Sequence, residues 1–365
     1  MPGRISVDYD QEDATAENNA DFHVIRFVAR IVLGIIKQCW AMSGAVVLAV
    51  LFLYWMYGGI LAFLALCFAA TGIIYNAGDK LLYYPDTPPH SRLFVPAPFT
   101  VGLPFENVFF KTKDSVKLHG FLMKQPDGIA EQVPTILFLH GNAGNIGHRL
   151  PNARGLYRQL GCNIFMVEYR GYGKSDGHPS EKGLYLDAQA ALDYLHNRSD
   201  IPRDKIMVFG RSLGGAVAID LAIQPSSESK IACLLVENSF TSIPDMAKLI
   251  VRMKAIQYIP RWFYKNKYNS LQKVANLCLP CIFISGLMDE LVPPSMMLDL
   301  YRQCGSPHKR LVQVPRGNHN GTWACPGYYR HLAEAVEQVM QTVRPSSRLN
   351  SEAVIEVTGK VTETN

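Results

Sequence analysis

No Asp, Glu, Lys or Arg occurs between positions 38 and 78 of this 365-residue chain. Charged residues make up 18% overall, against roughly 25% in an ordinary soluble chain, and this stretch accounts for a large part of the deficit. Cysteine is also scarce for the length, 8 in all, which excludes a disulfide scaffold. Cys278 and Cys281 have C-x-x-C spacing, but no second pair or histidine partner accompanies them. Zinc is therefore not expected, and Cys281 reads as the first residue of a buried strand. Ordinary glycine and proline counts (28 and 22) with 48% apolar residues exclude collagen, coiled coil and chain-wide disorder.

An uncharged run of this length holds one bilayer-spanning helix, which needs about 20 apolar residues. The expected span is about 57–74, opened by Gly58-Gly59 and the interfacial aromatics Tyr54, Trp55 and Tyr57. Met42 to Leu53 is a second apolar piece that lengthens the span, tilts it or lies along the interface. The run is too long and too far from the start for a cleaved signal peptide. Arg26, Arg30 and Lys37 precede it and Lys80 and Arg92 follow it. That bias favours a cytoplasmic N-terminus and a single-pass type II protein of an endomembrane or the cell surface. The sequons at Asn197 and Asn320 fit a lumenal or extracellular domain.

A second absence is acidic. Residues 246–275 hold Lys248, Arg252, Lys254, Arg261, Lys265, Lys267 and Lys273 and no Asp or Glu, enough to account for the net charge of +5. No nucleic-acid-binding motif accompanies this segment, so DNA and RNA are not expected partners.

After a Pro-rich stretch at 79–106, apolar runs alternate with helical patterns. Strands are predicted at 116–123, 135–139, 163–169, 206–209, 233–237, 281–285 and 311–314, with helices near 149–160, 181–196 and 216–223 and a last one from Tyr328. Such alternation, with nearly continuous apolar strands, means a mostly parallel sheet covered on both faces, an α/β fold. The expected domains are a tail (1–40), a membrane anchor (41–78), a linker (79–106), an α/β domain (107–344) with an insertion at 241–280, and a flexible tail (345–365).

Strand 206–209 runs into Gly210-Arg211-Ser212-Leu213-Gly214 and then a helix. G-x-S-x-G is weak by itself, but the strand-turn-helix context is the one that lifts a serine hydroxyl clear of a strained turn. A hydroxyl needs a base, and the base an orienting carboxylate. Asp289 follows one later strand and His319 the next, so Ser212, Asp289 and His319 are the expected catalytic residues, with Glu290 and Glu237 as rival carboxylates. The expected oxyanion donors are the Leu213 N–H and, from the loop His140-Gly141-Asn142-Ala143-Gly144-Asn145, the Asn142 N–H, with Ala143 as the near alternative. His140 is expected to prop that loop. No cofactor or metal is expected.

These strings, with Asn145-Ile146-Gly147-His148-Arg149, Tyr169-Arg170-Gly171-Tyr172-Gly173-Lys174-Ser175 and Gly286-Leu287-Met288-Asp289, resemble the membrane-anchored α/β-hydrolases of the Bem-type group. The resemblance implies an α/β-hydrolase fold behind an N-terminal transmembrane helix, a Ser-Asp-His triad and a sequon at Asn320. Its members include lipid hydrolases and protein depalmitoylases. The expected activity is therefore ester or thioester hydrolysis of long-chain acyl lipids, with a palmitoyl-thioesterase and an inactive membrane scaffold as rivals. Substrate choice is expected in the insertion, where Arg252, Lys254, Trp262, Lys265 and Lys267 would meet a membrane lipid or acylated substrate at the bilayer. A nucleophilic serine excludes epoxide hydrolysis and dehalogenation, which use an aspartate.

Overall fold

The computed structural model describes residues 30, 33, 44–227, 230–250 and 257–343. The chain divides into two units, residues 1–78 and 79–365.

In the first unit, residues 44–57 are helical and the helix Gly59–Leu82 begins. Gly58 separates them at φ 83°, a backbone setting that interrupts a helix. Large apolar side chains such as Ile60 and Phe68 are exposed. Among the described residues no helix is long and apolar enough to cross a membrane. The expected span at 57–74 is corrected to that extent: Gly58 lies inside it and breaks the helix there. Side chains 70, 73, 74, 76 and 77 lie outside the described residues.

The second unit is built on one eight-stranded sheet, ordered β1-β2-β4-β3-β5-β6-β7-β8. The strands are β1 (Glu106–Lys111), β2 (Lys117–Met123), β3 (Thr135–Leu139), β4 (Asn163–Glu168), β5 (Ile206–Arg211), β6 (Cys233–Glu237), β7 (Cys281–Gly286) and β8 (Lys309–Val314). β2 pairs antiparallel with both β1 and β4, and every other pairing is parallel. β3 to β7 are buried along their whole length, because helices cover both faces. Glu181–His196 and Leu213–Ala222 pack on one side, and Leu150–Gln159 and Tyr328–Val343 on the other.

β1 has no counterpart in the sequence reading. It is an edge strand with a single buried side chain, Val108, and its apolar run Val108-Phe109-Phe110 is only three residues long between polar neighbours. The helix Pro294–Gln303 was likewise not anticipated. Residues 79–106, expected as a linker, pack as part of the second unit: Tyr83, Val95 and Leu103 are buried, and Glu106 opens β1. The insertion contains short helices at Ile243–Ile250 and Ser270–Val274.

Candidate active site

The site gathers at the carboxyl ends of β3, β5, β6, β7 and β8. Ser212 stands between β5 and the helix Leu213–Ala222 at φ 53°, ψ −117°, a setting that costs a non-glycine residue about 1–3 kcal/mol. The surroundings hold it there. Its N–H donates to the Glu237 carbonyl at 2.9 Å, and its carbonyl accepts from Gly215 N–H at 2.9 Å and Ser239 Oγ at 2.8 Å. Gly210 and Gly214 are required by close approach. A Cβ on Gly210 would lie 2.2 Å from the Gly214 carbonyl oxygen, and one on Gly214 2.1 Å from that of Leu139.

His319, in the loop after β8, bridges the other two residues. Its Nε2 is 3.1 Å from Ser212 Oγ and its Nδ1 is 2.8 Å from Asp289 Oδ2. The other oxygen of Asp289 accepts the N–H groups of Leu291 (2.9 Å) and Val292 (2.8 Å). These bonds fix the plane of the carboxylate. Ser212, Asp289 and His319 are only 7%, 7% and 5% exposed. The arrangement can pass a proton from the hydroxyl to the imidazole while the carboxylate holds the Nδ1–H tautomer.

The loop after β3 lies against the serine, since a Cβ on Gly141 would sit 3.7 Å from Ser212 Cβ. The Asn142 carbonyl accepts from Tyr172 Oη (2.8 Å) and Tyr84 N–H (2.9 Å), and Asn142 Nδ2 donates to the Leu82 carbonyl at 3.1 Å. Burial holds the Tyr172 phenol well above its usual range, so it remains a donor. Arg149 donates to the Ala143 carbonyl at 2.8 Å. His140 is fully buried, 2.7 Å from the Gly141 carbonyl through Nδ1 and 3.3 Å from Glu168 through Nε2.

The expected insertion residues are not gathered in this way. Arg252 and Lys254 lie outside the described residues. Trp262 is 74% exposed, and Lys265 pairs with Asp79 at 2.6 Å. Lys267 is half-buried, and its main-chain N–H donates to Glu181. Asn197 and Asn320 are both exposed, and Asn320 Oδ1 accepts from Arg211. Glu237 does not take Asp289's place. It is wholly buried, paired with Arg211 and bonded to the Tyr328 hydroxyl. Glu290 is exposed, beside the carboxylate that His319 uses. Arg211 itself went unremarked in the sequence, although a cation next to a buried strand was a signal that it must be paired.

A hydrolytic fold with a strained serine, a bridging histidine and a carboxylate in that chain order defines an α/β hydrolase. Residues 134–255 match the family model described as the α/β hydrolase fold. The chain is 40% identical over 283 residues to protein bem46 of Schizosaccharomyces pombe, covering 76% of this chain and 91% of that one. It is 37% identical over 291 residues to the α/β hydrolase domain-containing protein WAV2 of Arabidopsis thaliana (75% and 90% covered). It is 34% identical over 278 residues to YNL320W of Saccharomyces cerevisiae, described as an uncharacterized membrane protein (74% and 92% covered). The chain belongs to the α/β hydrolase family, among the relatives of bem46 and WAV2. Among solved structures, the Pyrococcus furiosus esterase Pf2001 is similar at a TM-score of 0.54 and 20% identity, covering 68% of this chain and all of that one. At that identity the likeness is one of fold.

Proposed function

We propose that this chain is a serine hydrolase of carboxylic esters or thioesters. The carrying observation is His319 within hydrogen-bond reach of both Ser212 Oγ and Asp289. Ser212 Oγ attacks the acyl carbon as its proton passes to His319 Nε2. The oxyanion is received by the N–H of Leu213, at a helix N-terminus, and that of Asn142, with Ala143 beside it. As the tetrahedral intermediate collapses, the C–O or C–S bond breaks and the alcohol or thiol leaves with the proton from Nε2. Water then attacks the acyl-serine, gives its proton to Nε2, and releases the acid and free Ser212. Asp289 steadies the imidazolium in both steps.

The acyl group we propose is a long lipid chain. Leu287, Met288 and Leu291, on either side of Asp289, are 41%, 63% and 44% exposed, an apolar rim suited to such a group. We also propose that residues 41–78 attach the chain to a bilayer. The absence of charge from 38 to 78 supports this, as does the description of one relative as a membrane protein. The partner is then the bilayer itself and a lipid or acylated substrate within it, met by the insertion.

Labelling with a fluorophosphonate probe is expected in the wild type and absent in Ser212→Ala; a wild type that does not label favours an inactive scaffold instead. A glycosidase-sensitive mass shift lost in Asn320→Gln would put the site in a lumen and count against cytosolic palmitoyl-proteins. Lipid profiling with and without active enzyme would then name the acyl donor.

A further inference from the structure

His319 lies in a loop between β8 and the short turn Thr322–Ala324, with no regular element to fix it. What fixes it comes from β5 and β6. Arg211 and Glu237 are register partners in these two parallel strands, so their side chains leave the sheet side by side on one face. Arg211 Nη2 donates to the His319 carbonyl at 2.6 Å and to Asn320 Oδ1 at 2.7 Å. Its Nε lies 3.7 Å from Glu237 Oε1, and the other Glu237 oxygen takes the Tyr328 hydroxyl. The side chains of Arg211 and Glu237 are 6% and 0% exposed. Asn238 completes the cluster: its Nδ2 donates to Thr322 Oγ1 at 3.0 Å and to the Asn318 carbonyl at 3.3 Å, while its Oδ1 accepts from Gly286 N–H at 2.8 Å.

Resting on the hydrolase reading above, we infer that Arg211 and Glu237 are the positioning pair for His319, holding the backbone of the base at the distance from which it serves Ser212. Neither residue touches a substrate. Both bonds to the histidine loop leave from Nη2, whose two hydrogens lie in the plane of the guanidinium, so together they fix direction as well as distance. Glu237 keeps that fork in place and offsets its charge, which would otherwise stand uncompensated near an imidazole that must become an imidazolium. The three loops bearing Ser212, Asp289 and His319 are thus tied through the ends of β5 and β6. Near-attack geometry is sensitive at the ångström level, where a displacement of about 1 Å can cost about 100-fold in rate.

The test uses the full chain and a short soluble ester, with rates expressed per serine titrated to completion by a fluorophosphonate. Arg211→Met is expected to lower kcat about 100-fold with KM little changed, and Arg211→Lys, which can still reach the His319 carbonyl, to recover part of the loss. Because Arg211→Met strands a buried carboxylate and can prevent folding, the double variant Arg211→Met/Glu237→Gln is measured beside it. It leaves no unpaired charge and should show the same loss. Wild-type kcat per titrated serine in that double variant overturns the inference, as does a loss confined to KM. A readout without substrate separates this from failure of the hydrolase reading. In histidine-labelled full-length protein, the downfield Nδ1–H signal of an imidazole bound to a carboxylate should be present in the wild type and lost or broadened in the double variant. An unchanged signal, or none in the wild type, overturns the positioning role whether or not any ester is cleaved.

Discussion

The rim of the sheet and the insertion at 241–280 both carry charge, and they use it in opposite ways. At the rim the charges are buried and each is held by another element: Asp289 by His319 and two N–H groups, Arg211 by the histidine loop and Glu237. In the described part of the insertion, Arg261 and Lys265 are paired at or near the surface. Arg261 meets Asp245 with side chains 46% and 25% exposed, and Lys265 meets Asp79 at 30% and 27%. The pairs explain how residues 246–275, which hold no Asp or Glu, coexist with their surroundings: Asp245 lies just before them and Asp79 far upstream. Exposed pairs contribute about 0–1 kcal/mol, whereas breaking a buried one costs about 3–5 kcal/mol. The rim's charges are therefore costly to disturb, and the exposed pairs of the insertion are cheap to disturb.

The comparison breaks most sharply if the rim tolerates change. Ser212→Ala is expected to remove about 10⁶ of kcat on a soluble ester, while an activity that survives would move the chemistry elsewhere. Asp289→Asn should cost about 10⁴, because an amide at Oδ2 turns the imidazole to the wrong tautomer; a small loss would hand the orienting role to Glu290 or Glu237. Gly210→Ala pushes a methyl to 2.2 Å from the Gly214 carbonyl oxygen. A fall in unfolding free energy of about 3 kcal/mol is expected in urea titration, against an unchanged midpoint if the turn can yield. Tyr172→Phe deletes only the hydroxyl that holds the Asn142 carbonyl. It should lower kcat by less than the triad variants and stability by about 1 kcal/mol. An unaltered kcat there would shift the second oxyanion donor away from Asn142.

The sequence made the rim legible because its constraints are local. β3, β6 and the helix Glu181–His196 have the bounds their apolar patterns mark; Ser212 follows β5 directly, and Asp289 and His319 lie in the loops just after β7 and β8. Arg211 has no functional reading in the sequence, and Glu237 has one only as a rival to Asp289, because their joint meaning lies in the pairing of β5 with β6, which no short window contains. The stretch at 79–106 reads as a linker because prolines hide its few buried side chains, although Tyr83 bonds Tyr268 at 2.7 Å across 185 positions. The basic run misled in one respect: a count of charges along a segment does not register partners such as Asp79, Asp220 and Asp245.

The smallest expected effect is the one that separates the two regions. Arg252, Lys254 and Lys267 are the cations for which the proposal gives the insertion a membrane-facing task, while Lys265 already engages Asp79. A basic side chain near an anionic surface contributes about 1 kcal/mol, and salt screens it over about 8–10 Å. Replacing Lys267 by Gln should therefore lower turnover on vesicles containing phosphatidylserine about fivefold at low ionic strength. The loss should shrink as salt is raised, and hydrolysis of a short soluble ester should stay unchanged. Lys265→Gln should do less on vesicles and act through stability instead. Equal losses on vesicles and on the soluble ester for Lys267→Gln would mean that the insertion, like the rim, acts through the geometry of the site, and the division between buried and exposed charge would not be one of task.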